Sequence, residues 1–256
     1  MPKEVNKLPA NPTQTVLLKN LGWDNEKKVW RTSDKRRQWS TFNDDQLNNG
    51  GKFKIKDGLS VDINIVDVFD AEGGQEMQNI TSKLLKRVES CDIEYLCLEN
   101  QNITFDEYLK LTATKKIESL FMDMVDIRYA DGTIVPFDRV LAEVPKLHKM
   151  VIQGDYTDES KFNSETAKKL SELPKFENLW VFELHDISEA FNVDDFCNFI
   201  LKHKTQKVDY DLHLDDMIDE DYQTKFHAAM NKIIEEWNGE HEISIMVNGD
   251  EYPFEC

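Results

Sequence analysis

The chain repeats itself at intervals of about thirty residues, and few folds accept such a pattern. The stretch Leu173-Pro174-Lys175-Phe176-Glu177-Asn178-Leu179-Trp180-Val181-Phe182-Glu183-Leu184 leaves a helix-like run and enters a short strand with apolar Leu179, Phe182 and Leu184. Val144-Pro145-Lys146-Leu147-His148-Lys149-Met150-Val151-Ile152 has the same shape, with Leu147, Met150 and Ile152 in the matching places. Ile93/Leu96/Leu98 and Ile117/Leu120/Met122 fit the spacing, and weaker copies end in Ile63/Ile65, Leu212/Leu214 and Ile245/Val247. The last apolar residues fall at 65, 98, 122, 152, 184, 214 and 247, in steps of 33, 24, 30, 32, 30 and 33. Units of that length, each a strand followed by a helix, cannot bury their apolar faces alone and must stack.

Local signals fill in each unit. Val61, Ile63 and Ile65 alternate with polar residues, the mark of a strand with one buried face. Met77, Ile80, Leu84 and Val88 follow at helical spacing after Gly73-Gly74. Thr104-Phe105-Asp106-Glu107 is a capping-box pattern that opens a helix with Phe105, Tyr108 and Leu109 inward. Pro136, Asn163 and Asn192 stand where further helices start, and these carry Phe137/Val140/Leu141/Val144, Ala167/Leu170/Leu173 and Phe196/Phe199/Ile200. The last helix places Tyr222, Phe226, Met230, Ile233 and Trp237 on one face and closes at Asn238-Gly239. Strands reached through a helix are parallel. The expected fold class is therefore α/β: an irregular repeat solenoid over residues 55–256, with a curved parallel sheet and outer helices. A polar, glycine-ended linker at 43–54 precedes it. Before that, residues 1–42 are expected to form a small helical segment, with Val16/Leu17, Leu21, Val29/Trp30 and Trp39 on short helices, too small to hold its own core.

The repeats resemble leucine-rich repeats in their Leu-x-x-Leu-x-Leu frame, as at Leu179/Phe182/Leu184 and Ile93/Leu96/Leu98. The family's asparagine after the strand is replaced in every copy, by Val68, Gln101, Val125, Asp155, Ile187, Met217 and Asp250. The front end resembles a divergent F-box: Leu8-Pro9, Leu17-Leu18, Leu21, Asp24, Val29-Trp30-Arg31, Ser33 and Lys35-Arg36-Arg37-Gln38-Trp39 stand in the family's order, with Ala10-Asn11-Pro12 in place of its acidic-aliphatic start. That resemblance implies the substrate-recognition subunit of a cullin-RING (SCF-type) ubiquitin ligase. Leu8, Pro9, Leu17, Leu18, Leu21, Val29, Trp30 and Trp39 would bind the ligase adaptor, and the repeats would bind a protein substrate.

Charge narrows the partners. The net charge of −18 is uneven: residues 1–54 hold 11 Lys+Arg against 6 Asp+Glu, and the remainder 20 against 43. An acidic body repels phosphate-rich ligands and has few cations with which to release counterions, so nucleic acid is not an expected partner. Basic proteins are favoured, unless the charge only keeps the chain soluble. No apolar run approaches the ~18 residues of a membrane span, and no signal core follows Met1-Pro2-Lys3-Glu4. An intracellular location, cytoplasmic or nuclear, is expected, with Cys91, Cys97, Cys197 and Cys256 as reduced thiols.

No phosphate-cradling glycine loop, G-x-S-x-G elbow, H-E-x-x-H or C-x-x-C occurs, so neither an enzyme nor a cofactor is expected. His185, His213 and Asp215 on neighbouring strands could approach a metal, but structural histidines are the commoner outcome and no metal is expected. Cys97 lacks a base in the sequence that would make it a nucleophile. Paired carboxylates such as Asp194/Asp195 and Asp219/Glu220/Asp221 sit at helix starts, where the dipole accounts for them.

Strand alternation places Cys97, Phe121, Val151, Glu183, His213 and Met246 in one outward column, and Glu99, Asp123, Gln153, His185, Asp215 and Asn248 in the next. The candidate partner-binding residues are Glu99, Phe121, Asp123, Glu183, His185, His213 and Asp215. Two functions compete: the ligase substrate receptor, and a stand-alone acidic repeat protein that binds a basic partner. In the first, Leu17, Leu21, Val29 and Trp30 are exposed; in the second, they are buried against the first repeat strand.

Overall fold

The computed structural model describes residues 15–24, 29–33, 39–42, 52–61, 78–153 and 162–251. The architecture is mixed α/β, with mostly parallel strands and several helices between them. The chain divides into two compact units, Met1–Ile117 with Met122–Thr133, and Glu118–Phe121 with Ile134–Cys256. Among the described residues no helix is long and apolar enough to cross a membrane.

In the first unit, β1 (Thr15–Asp24), β2 (Val29–Ser33), β3 (Trp39–Phe42), β4 (Lys52–Val61) and β5 (Val88–Glu99) lie in the order β3-β2-β1-β4-β5. β1, β4 and β5 are parallel, and β2 and β3 run antiparallel to complete the sheet. The helical segment expected in residues 1–42 is thus corrected: its described parts are strands. The reason lies in bulges. A register shift between Lys19 and Leu21 lets Leu18 and Leu21, three residues apart, both face inward opposite Ile55 and Leu59. A strand with a bulge imitates helical spacing. β4 carries its own irregularity at Asp57, whose φ of 71° is left-handed. Trp30 is 1% exposed and meets Trp23 edge-on at 5.3 Å across the β1–β2 pair. Leu17, Val29 and Trp39 also stand in strands, whereas Leu8 and Pro9 lie outside the described residues. β4 begins inside the expected linker, at Lys52.

Helix α1 (Ile80–Leu85) is shorter than its expected face, because Val88 already opens β5. β6 (Asn102–Thr104) leads into α2 (Phe105–Thr112), where the capping box forms as expected: Thr104 Oγ1 accepts from the Glu107 amide, and Glu107 accepts from the Thr104 amide. β7 (Ser119–Asp123) crosses the boundary between units, and β8 (Asp126–Arg128) pairs with β6 in a small parallel sheet. Gln101, just after β5, is fully buried. Its Oε1 accepts from the Thr81 amide at 3.0 Å and the Thr81 hydroxyl at 2.8 Å, and its Nε2 donates to Asn100 O at 2.9 Å. One side chain thus ties the first turn of α1 to the turn after β5.

In the second unit, α3 (Phe137–Leu141), β9 (Lys149–Gln153), α4 (Thr166–Glu172), β10 (Val181–Ile187), α5 (Val193–Lys202), β11 (Asp209–Leu214), α6 (Glu220–Glu235) and β12 (Ser244–Val247) alternate as strand and helix. β9, β10, β11 and β12 are parallel neighbours, and β13 (Asp250–Glu251) closes a hairpin through Asn248-Gly249, both with positive φ. Ile152, Leu184, Leu212 and Val247 lie opposite one another, as do Met150, Phe182, Tyr210 and Ile245. The repeat therefore ends at Leu212 rather than Leu214, and Val61, opposite Leu98, occupies the place assigned to Ile65; Ile63 and Ile65 lie outside the described residues. A slip of two keeps every side chain on its own face, so alternation alone cannot detect it.

The buried face meets an aromatic layer from the helices. Phe182 lies 4.9 Å from Phe199, 5.7 Å from Phe196 and 6.0 Å from Tyr210, between ring centroids. The end of α5 then fastens the loop after α4. His203 Nδ1 donates to Phe199 O at 2.9 Å, its Nε2 accepts from the Phe176 amide at 3.2 Å, and Lys202 caps Ser171 O and Leu173 O. A neutral ring satisfies both contacts, and burial holds the His203 pKa below the usual histidine range. Helix α6 ends at Glu235, before the expected Asn238-Gly239 closure. Gly239 is needed there because a Cβ would stand 2.5 Å from Lys204 O.

Replacing Gln101 by Leu leaves the Thr81 amide and hydroxyl buried without a partner. The variant should lose about 1–3 kcal/mol in urea unfolding, whereas an unchanged midpoint would mean that the tie is not structural.

Candidate functional site

Sheet alternation in the second unit divides the side chains cleanly. Phe182, Leu184, Tyr210, Leu212 and Leu214 are buried toward the helices, while Glu183, His185, Asp211 and His213 remain partly exposed on the opposite face. Glu183 is in register with Val151 and Asp211, and Asp211 with Met246. The expected column thus needs one correction. His213 does not neighbour Glu183 in register; Asp211 does, and His213 joins His185 one row further on. This is the same slip of two, now visible in the site.

The row is bonded internally. His185 Nε2 lies 2.8 Å from Glu183 Oε1, and Gln153 Nε2 donates to the same oxygen at 2.8 Å. A ring nitrogen so near a carboxylate carries the proton, so His185 Nε2–H is the donor. The 3.3 Å approach of Gln153 Nε2 to that nitrogen is then a contact between two donors rather than a hydrogen bond. His213 Nε2 lies 3.0 Å from Asp211 Oδ1 but off the hydrogen-bond direction, and that buried oxygen has no aligned donor. The two imidazoles stack at 3.9 Å with planes 10° from parallel. Burial pushes the Glu183 carboxyl up, yet the bonds from His185 and Gln153 and the nearness of His185 and His213 outweigh it and hold it below the usual carboxylate range.

Of the other expected partner-binding residues, Glu99 and Asp123 belong to the first unit, where the Asp123 carbonyl accepts from the Asn100 amide at 2.8 Å. Phe121 is half-buried on β7. Asp215 lies beyond the end of β11, where its carboxylate accepts from the Met217 amide at 2.7 Å; it caps a turn and has no place in the row. Asp211 and Gln153 complete the cluster. Gln153 was legible as an outward residue, and the Asp209-x-Asp211-x-His213 alternation was the available signal for Asp211.

Metal and thiol chemistry find little purchase here. Each histidine Nε2 faces its own carboxylate, and among the described residues no group of three or more His, Cys, Asp or Glu side chains is arranged to hold a metal ion. Burial pushes the Cys91 thiol up to about 12 and the Cys197 thiol up to about 11, far from thiolate reactivity at neutral pH. Cys97 is buried, with its sulfur 3.8 Å from Glu99 Oε1. The arrangement offers stacked rings, acceptors and negative charge, which suit binding.

Because the folded pKa of Glu183 lies below its unfolded value, its contribution to stability is present above the ordinary carboxylate range and is lost as pH falls through the folded value. Glu183→Gln should therefore flatten the acid side of the stability–pH curve measured by urea unfolding. Superimposable acid limbs would contradict this electrostatic assignment. No family model, curated protein or solved structure matches the chain.

Proposed function

We propose that the chain is a protein-interaction module, an acidic leucine-rich-repeat-like scaffold that binds a basic protein partner. The observation that carries this reading is the burial of Trp30 and Leu21, each 1% exposed, inside paired strands. Adaptor docking by the front end would need those side chains on the surface of a helical box. As strands paired to β4, residues 15–24 serve instead to extend the sheet. This favours the stand-alone reading over the ligase receptor, because the described residues of the front end form strands rather than the helices of a box.

The partner's charge follows from the chain's own. Residues 55–256 carry 20 Lys+Arg against 43 Asp+Glu, and the exposed face of the second unit's sheet presents Glu183, Asp209 and Asp211 against Lys149. A basic protein gains from this field in both rate of encounter and selectivity.

Calorimetry of the full chain tests both readings. The ligase adaptor should produce no binding heat, and a mixed lysine–arginine peptide should bind at low salt and weaken as salt rises. Tight binding of the adaptor, or no binding of the basic peptide at low salt, would overturn the proposal.

A further inference from the structure

The cluster on β10 and β11 is more specific than a patch of negative charge. Two adjacent strands carry the same short pattern, Glu183-x-His185 and Asp211-x-His213, with the carboxylates in register opposite each other. Each imidazole turns its Nε2 toward the carboxylate of its own strand, at 2.8 Å and 3.0 Å, and this shared orientation brings the rings into a stack. The His185 and His213 side chains keep 25% and 32% of their surface exposed, and those of Glu183 and Asp211 keep 21% and 26%. The result is a stacked ring pair, partly exposed to solvent and bordered by two acids.

Among basic groups, a guanidinium matches this shape. It is planar, so it can stack on an aromatic face while its N–H fork meets a carboxylate at the ring's edge. A lysine ammonium is a compact point charge that gains from the acids but not from the plane of the rings. Glu183 Oε1 already takes two donors and Asp211 Oδ1 is closed to solvent, so the two acids act on an incoming cation through their charge and through the parts of their side chains that stay exposed.

We propose that the His185–His213 stack, with Asp211 and Glu183 beside it, is the seat for an arginine side chain of the partner protein. This rests on the reading that the partner is basic, and it adds which basic side chain is selected and where. The seat distinguishes arginine from lysine through the plane of the ring pair and draws either through charge.

The test uses the full chain and two short peptides that differ only in having arginine or lysine at every basic position, between glycine and serine spacers. In calorimetry the arginine peptide should bind severalfold tighter than the lysine peptide, because only the planar guanidinium can stack on the rings. The double substitution His185→Ala and His213→Ala, with folding checked by circular dichroism, should abolish that preference and leave the charge-driven part. In the unsubstituted chain, the ring-proton resonances of both histidines should shift on addition of the arginine peptide and not of the lysine peptide. Equal affinity for the two peptides, or a preference that survives loss of the rings, would overturn the seat while leaving the basic-partner reading intact. Failure of both peptides to bind would remove that reading and the seat with it.

Discussion

Everything in this fold depends on parallel strands held in a register that stacks like residues on like. In the second unit Ile152, Leu184, Leu212 and Val247 form one buried row, and Met150, Phe182, Tyr210 and Ile245 the next. Each row is buried because helices α4, α5 and α6 lay Leu170, Phe196, Phe199, Phe226 and Met230 inward. Area removed from water stabilises non-directionally, and the two-residue alternation converts that force into a fixed orientation for the opposite face. The cluster of Glu183, His185, Asp211 and His213 is thus a consequence of core packing: the residues between the buried ones have nowhere else to point.

Polar side chains tie the turns between strands and helices. Gln101 does so by bonding the buried start of α1. Elsewhere the work passes to helix ends, with Asn192 accepting from the Asp194 and Asp195 amides, Asp219 from the Tyr222 amide, and His203 and Lys202 holding the loop after α4. Left-handed residues after or near strand ends, Asn100, Met124, Asp186 and Asn248, turn the chain away from the sheet.

What was legible in the sequence was whatever a single strand or helix decides by itself. The strands around Leu98, Met122, Ile152, Leu184 and Val247, the capping box at Thr104 and the Asn248-Gly249 turn all follow from alternation and local hydrogen bonding. What was illegible depends on the neighbouring strand. A slip of two residues is invisible to alternation, and so His213 was placed beside Glu183 where Asp211 stands. Bulges are equally silent: Leu18 and Leu21 sit three residues apart with both side chains buried, a spacing that reads as a helix until β4 is seen beside them.

The central claim is that the front of the chain belongs to the sheet. Native-state hydrogen exchange measures this directly. The amides of residues 16–22 should be protected to the same order as those of β10, since both lie in parallel ladders on a buried core. Exchange of those amides at the rate of an open chain, while β10 stays protected, would contradict the claim.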